Sequence, residues 1–204
     1  ILNTQCRNKW CVVVDVDELL MPRDDNCLQD VKQAMTDQNK NVLPTCLVDF
    51  YPKTTDQKDY TAGDDFLTHS DHYDRFTEAD ISIRHGEAGE VIVKGGMRHR
   101  IFGENRQPVC LTKKSFFKYD FYKTHNLSVG MHWILPVDFN HMSGRAWSEY
   151  PRWDEMNEHI KIYSDMCAVA HFKFIKPNIY DYFKCRVDRN QGWDNSDEYK
   201  NYIK

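Results

Sequence analysis

No apolar run in the sequence approaches the ~18 residues that a membrane-crossing helix needs. The longest are short stretches such as Trp10–Val14. No two cysteines have CxxC spacing, and the seven cysteines are an odd number with several inside apolar runs, so reduced, buried thiols and a reducing compartment are expected. Positive charge is not in excess. Lys and Arg number 27 against 31 Asp and Glu, a net charge of -4, which argues against a protein whose main task is gripping nucleic acid through its phosphates. Repeats, low-complexity tracts and a convincing linker are missing, as is a signal-peptide pattern before the apolar strand that follows Ile1 closely. The chain is expected to be part of a longer one, placed in the cytoplasm either free or peripheral to a membrane.

What is present is globular. Hydrophobic residues make up 41%, aromatics 13% and charged residues 28% of 204 positions, which fits a single domain over 1–204 that hides roughly 70% of its extended surface on folding. Trp10–Val14 is a β-branched run ended by acidic residues and predicts a central strand buried on both faces. Leu28, Val31 and Met35 recur at helical spacing behind Asp24, Asp25 and Asn26, so an amphipathic helix is expected there before Pro44 interrupts. Thr45–Tyr51 predicts a second buried strand. Residues 53 to 80 are polar and read as a long loop. Glu90–Val93 and Met97–Phe102 read as two strands joined at Gly95 and Gly96, or as one bent strand with a bulge. Further strands are expected at Ser115–Tyr119, Val129–Leu135 and Cys167–Phe174. Pro177 opens a helix with the stripe Ile179, Phe183 and Val187. The fold class that results is α/β, a mixed sheet flanked by helices.

Asp15 and Asp17 stand two residues apart at the end of the first strand. In extended geometry both carboxylates project to one side, beyond the sheet edge where α/β ligand sites form. Two close carboxylates repel, and a hard divalent cation such as Mg2+ or Mn2+ resolves the repulsion while leaving coordination positions to water and phosphate oxygens. A solvated strand end is the plain alternative.

The segment Trp10–Pro22 resembles the "W-hhh-DxDE-hh-P" stretch of bacterial glycosyltransferase family 2-like proteins. Further segments agree in order: Cys46–Pro52 with "LLDMYP", Gly95–Gly103 with "GGxRxRxF", Leu111–Lys113 with "LxK", Ala170–Phe174 with "LHFK", and the closing Glu198–Tyr202 with the family tail. The resemblance implies a GT-A-like fold of the nucleotide-diphospho-sugar transferase type, whose first nucleotide-binding strands would precede this segment. It also implies a metal-dependent enzyme that moves a sugar from a nucleotide-diphosphate donor to a glycan or lipid-linked acceptor. On that reading Asp15, Asp17 and His171 are metal ligands for Mn2+ or Mg2+, and Lys173 meets a phosphate oxygen. Lys113 matches the family lysine and joins the substrate-binding set, with His132 as the next histidine in line.

Arg98 and Arg100 share one face of the expected strand, and their two guanidinium forks suit a phosphate or an acidic acceptor. Inverting transfer needs a carboxylate base, for which Asp49 is the candidate, its alternative being hydrogen bonds to nearby backbone. His69, Asp71, His72 and Asp74 form a metal-like cluster that reads as solvated loop. Trp147, Tyr150 and Trp153 suit stacking on a sugar face or plain packing. Two other functions stay open. An apolar strand followed by Asp-x-Asp is also the nucleophile motif of haloacid-dehalogenase-like phosphatases, with Asp15 attacking phosphorus, and a non-catalytic carbohydrate-binding fragment would keep the sheet without a donor pocket.

Overall fold

The computed structural model describes residues 2–24, 26–53, 60–75, 81–84, 90–102, 111–127, 131, 134–136, 159–176, 178–191 and 196–203. In chain order the elements are α1 (Leu2–Gln5), β1 (Trp10–Val12), β2 (Glu18–Met21), α2 (Leu28–Asp37), β3 (Val42–Tyr51), α3 (Phe66–His69), β4 (His72–Tyr73), β5 (Ile81–Arg84), β6 (Glu90–Val93) and α4 (Gly96–Phe102). There follow β7 (Thr112–Lys118), β8 (His125–Leu127), β9 (Ile134–Pro136), β10 (Cys167–His171), α5 (Ile179–Asp188) and α6 (Asp197–Tyr202). The main sheet runs in the order β1-β7-β3-β10-β2, with β4 on the far end of β3. Among the described strands, β3 and β10 are the parallel neighbours in it, and the other pairings are antiparallel. The sheet is therefore mixed, and helices accompany it, as expected of an α/β chain.

Period-two alternation places a core on each face of this sheet. On β7, Phe116 packs with Leu43, Leu47, Val169 and the α2 residues Val31 and Met35, while Phe117 packs with Val42, Tyr119 and Phe121. Helix α2 forms where the apolar spacing requires. Asp30 accepts from the Cys27 backbone N–H at 2.8 Å and so satisfies a donor that its own first turn leaves over.

Four expectations about elements are corrected. Trp10–Val14 is not a central strand: β1 covers three residues, pairs only with β7, and leaves Val12 and Val14 exposed at the edge. Val13 to Asp17 instead carry the chain from that edge to β2 at the opposite one. Pro44 does not stand between elements but inside β3, where the register against β7 shifts between Leu43 and Thr45; a residue without an N–H fits such an irregularity. Met97–Phe102 is helix α4 rather than strand, because Gly95 and Gly96 take φ of 111° and 64°, which turns the backbone out of the extended course of β6. Finally, β10 stops at His171, and the chain turns immediately after it. Thr45–Tyr51, Glu90–Val93 and the stripe on α5 are found where expected, with Phe183 buried.

Six cysteines, Cys6, Cys11, Cys27, Cys46, Cys167 and Cys185, are free thiols, and burial pushes the Cys11 thiol up to about 11. Cys110 lies outside the described residues, as do His132, Trp147, Tyr150, Trp153 and Pro177. Among the described residues no helix is long and apolar enough to cross a membrane.

Candidate functional site

Strand pairing assembles the site. The register sets Asp49, two residues before the end of β3, opposite His171 at the end of β10, and His171 in turn opposite Glu18 at the start of β2. Asp17 is fixed one residue before that, its carbonyl accepting from Phe172 N at 2.8 Å. Helix α4 lays Arg98 over the same edge. Its Nη2 donates to Asp49 Oδ1 at 2.9 Å, and its Nε lies 2.8 Å from Asp49 Oδ2. Helix α6 adds Glu198, 3.9 Å from Arg98 Nε and in contact with Lys173 Nζ and the Tyr202 hydroxyl. Segments far apart in sequence thus supply one nearly closed chain of charges, with only 2% of the Asp49 side chain exposed.

The chemistry turns on the tautomer of His171. Nδ1 lies 2.5 Å from Asp49 Oδ1, so this nitrogen carries the proton and donates to the carboxylate. Arg98 Nη2 is 3.1 Å from the same Nδ1, but both are donors, and the guanidinium finds its acceptor in Asp49 instead. Nε2 is left facing Asp17 Oδ2 at 3.8 Å. A protonated ring pairs there with Asp17 directly; in the neutral ring that nitrogen bears a lone pair, and a lone pair opposite a carboxylate leaves a place for a cation between them. A carboxylate on one imidazole nitrogen with an open second nitrogen is the arrangement that orients metal-binding histidines. Burial pushes the Asp49 carboxyl up, but Arg98 and His171 outweigh it and hold it down to about 2. Burial likewise acts on Asp17, where His171 and Lys176 win and keep the carboxyl below its usual range. Such an Asp49, enclosed and strongly acidic, is poorly placed to take a proton from an acceptor hydroxyl; its contacts are those of a group that positions His171.

Asp15 does not stand beside Asp17 as the extended geometry required. Glu18 N donates to Asp15 O at 3.1 Å, closing a turn in place of the extended course, and the two carboxylates take different partners, Lys113 for Asp15 and His171 with Lys176 for Asp17. Glu18 Oε2 accepts from Asp15 N at 3.1 Å, while its other oxygen meets Lys113 Nζ at 2.5 Å. Lys113 also lies 3.4 Å from Asp15 Oδ2. This lysine is buried and spends its charge on clamping the turn, which accounts for it without a substrate. Among the described residues no three His, Cys, Asp or Glu side chains are gathered as a metal-binding group. The pair Asp17 and His171 is what the fold brings together.

Comparison with family models, with curated proteins and with solved structures finds no match.

The remaining candidates separate by location. Arg98 and Arg100 do not share a face, since two residues apart on a helix is more than half a turn. Arg100 turns outward to Asp74, Nε to Oδ2 at 2.8 Å, and to the ring of Tyr51, whose hydroxyl also bonds Asp74. Lys173 is directed away from Asp17, onto Glu198 and the rings of Tyr199 and Tyr202. In the 69–74 stretch His72 pairs with Asp71, and Asp74 belongs to Arg100, so these groups form no joint cluster. The cation that reaches Asp17 is Lys176, with Nζ 3.4 Å from Oδ2. It was not among the residues singled out from sequence, nor were Glu18 or Glu198 given a role, although Glu198 sits in the tail segment and Lys176 follows His171 by five positions.

Proposed function

We propose that this chain is a metal-dependent glycosyltransferase that moves a sugar from a nucleotide-diphosphate donor to a glycan or lipid-linked acceptor. The observation that carries the reading is His171, donating through Nδ1 to a buried carboxylate and turning Nε2 toward Asp17. Two neighbouring ligands of one octahedral cation at ~2.1 Å stand ~3.0 Å apart, so the 3.8 Å between Asp17 Oδ2 and His171 Nε2 has to close by ~0.8 Å for the two to share Mn2+ or Mg2+. Asp15, on the exposed side of the turn, completes the acidic rim. Bound there, the cation supplies positive charge where the departing diphosphate gains negative charge. The chain's own residues do the rest. Asp49 fixes the ring tautomer, Arg98 keeps Asp49 ionised, and Lys176 provides a cation at the same edge. The clamp of Lys113 and Glu18 holds the turn that presents Asp15 and Asp17.

The phosphatase reading would use Asp15 as nucleophile, and the Lys113 ammonium nearby is compatible with that. It leaves the most organised part of the edge, Asp17 with His171 and Asp49, without a task, and so is second. Calorimetric titration separates the two. Mn2+ and a nucleoside diphosphate, UDP or GDP, should bind together, with Asp17→Asn and His171→Ala abolishing the metal dependence and Asp49→Asn weakening Mn2+ binding by about 10- to 100-fold. Nucleotide binding indifferent to Mn2+, or phosphate trapped on Asp15 from a phosphomonoester, would overturn the transferase reading.

A further inference from the structure

The ammonium of Lys176 touches the same oxygen, Asp17 Oδ2, that faces His171 Nε2. We propose that Lys176 is a built-in stand-in for the divalent cation, neutralising Asp17 until metal displaces it and then turning to the phosphates that the metal carries. The inference rests on the transferase reading above and adds an exchange step to it.

Geometry makes the competition unavoidable. An ion bound to Asp17 Oδ2 at ~2.1 Å, with Lys176 Nζ 3.4 Å from that oxygen, would lie at most ~5.5 Å from the ammonium whatever its direction. At that range, on a partly buried edge, a divalent and a monovalent cation repel strongly. Lys176 has room to move. Its side chain is 30% exposed, against 12% for Lys173, and among the described residues its other contacts are one carbonyl, Lys173 O at 3.5 Å, and the Tyr182 ring with its centroid at 5.5 Å. Lys173 by contrast is tied to Glu198 and to two tyrosine rings. Only one of the two lysines is therefore poised to exchange carboxylate for phosphate. No covalent bond is made or broken: Asp17 trades a monovalent cation for a divalent one, and the added positive charge and the released ammonium are both met by the negative charge of the diphosphate.

The exchange predicts opposite effects from one substitution. In the full chain, Lys176→Met and Lys176→Gln should bind Mn2+ alone, measured by the paramagnetic resonance signal of free Mn2+, about threefold more tightly or better, because a competing cation is gone. The same variants should bind UDP or GDP in the presence of saturating Mn2+ more weakly than wild type. Lys176→Arg, which keeps the charge, should resemble wild type in both measurements. A lysine that merely packs on Tyr182 would change thermal stability and leave Mn2+ affinity alone. Unchanged or weaker Mn2+ binding in both neutral variants, while wild-type binding still depends on Asp17 and His171, overturns the exchange but not the transferase. Mn2+ binding by wild type that is absent, or indifferent to Asp17, sinks both.

Discussion

Arg98 and Arg100 stand two residues apart on α4, and each meets an aspartate from another part of the chain, yet the two pairs do different work. Arg98 leaves 12% of its side chain exposed and its partner Asp49 only 2%; for Arg100 and Asp74 the figures are 59% and 20%. An exposed pair exchanges water contacts for one another at little net gain, whereas a buried pair holds two charges that neither could keep there alone. The inner pair is thus a condition for the fold of the edge and for the orientation of His171. The outer pair decorates the rim with Tyr51.

The comparison is sharpest at Arg98. Arg98→Met should strand the Asp49 carboxylate without its main counter-charge and lower unfolding free energy by about 3–5 kcal/mol in denaturant titration. A loss under ~1 kcal/mol would put the two pairs in one class. Acid offers a smaller effect and a direction. The Asp49 carboxyl is held at about 2 in the folded chain against an ordinary value of 3.8, so its contribution is complete above pH ~4 and disappears as pH falls toward ~2. That interval should account for about 2 kcal/mol of stability, and Asp49→Asn should flatten the curve there. The smallest effect belongs to the rim: Arg100→Ala should cost less than ~1 kcal/mol and be masked further by salt. If it exceeded the Arg98 substitution, the ranking by burial would be wrong.

Much of the scaffold was legible because its signals are local. The spacing of Leu28, Val31 and Met35 and the apolar run into Tyr51 each report a buried face directly, whereas the pairing of Asp49 with His171 rests on the β3–β10 register, which neither strand encodes alone. What escaped depended on neighbours. Whether a β-branched run is central or marginal is decided by how many strands flank it, which Trp10–Val14 does not encode. Met97–Phe102 has no strong preference for either regular structure, and the two left-handed glycines settled it. Among the site residues, Asp17, His171, Asp49 and Arg98 do meet. Asp49 proved to be enclosed by Arg98 and His171, and Lys113 and Lys173 proved to be taken up by Glu18 and Glu198. A lysine's partner is chosen by the nearest buried carboxylate, and that distance is absent from linear order. The same reason hid Lys176.

The bond between His171 and Asp49 joins positions 122 residues apart. Closing a loop of that length costs entropy that the pairing of the parallel strands β3 and β10 offsets, so the contact exists only where those two strands are in register. Any ion or nucleotide that settles there would recognise only the finished sheet. Its binding would draw the whole folding equilibrium toward the native side, and ligand-induced thermal shifts on this chain would report global assembly as well as local occupancy.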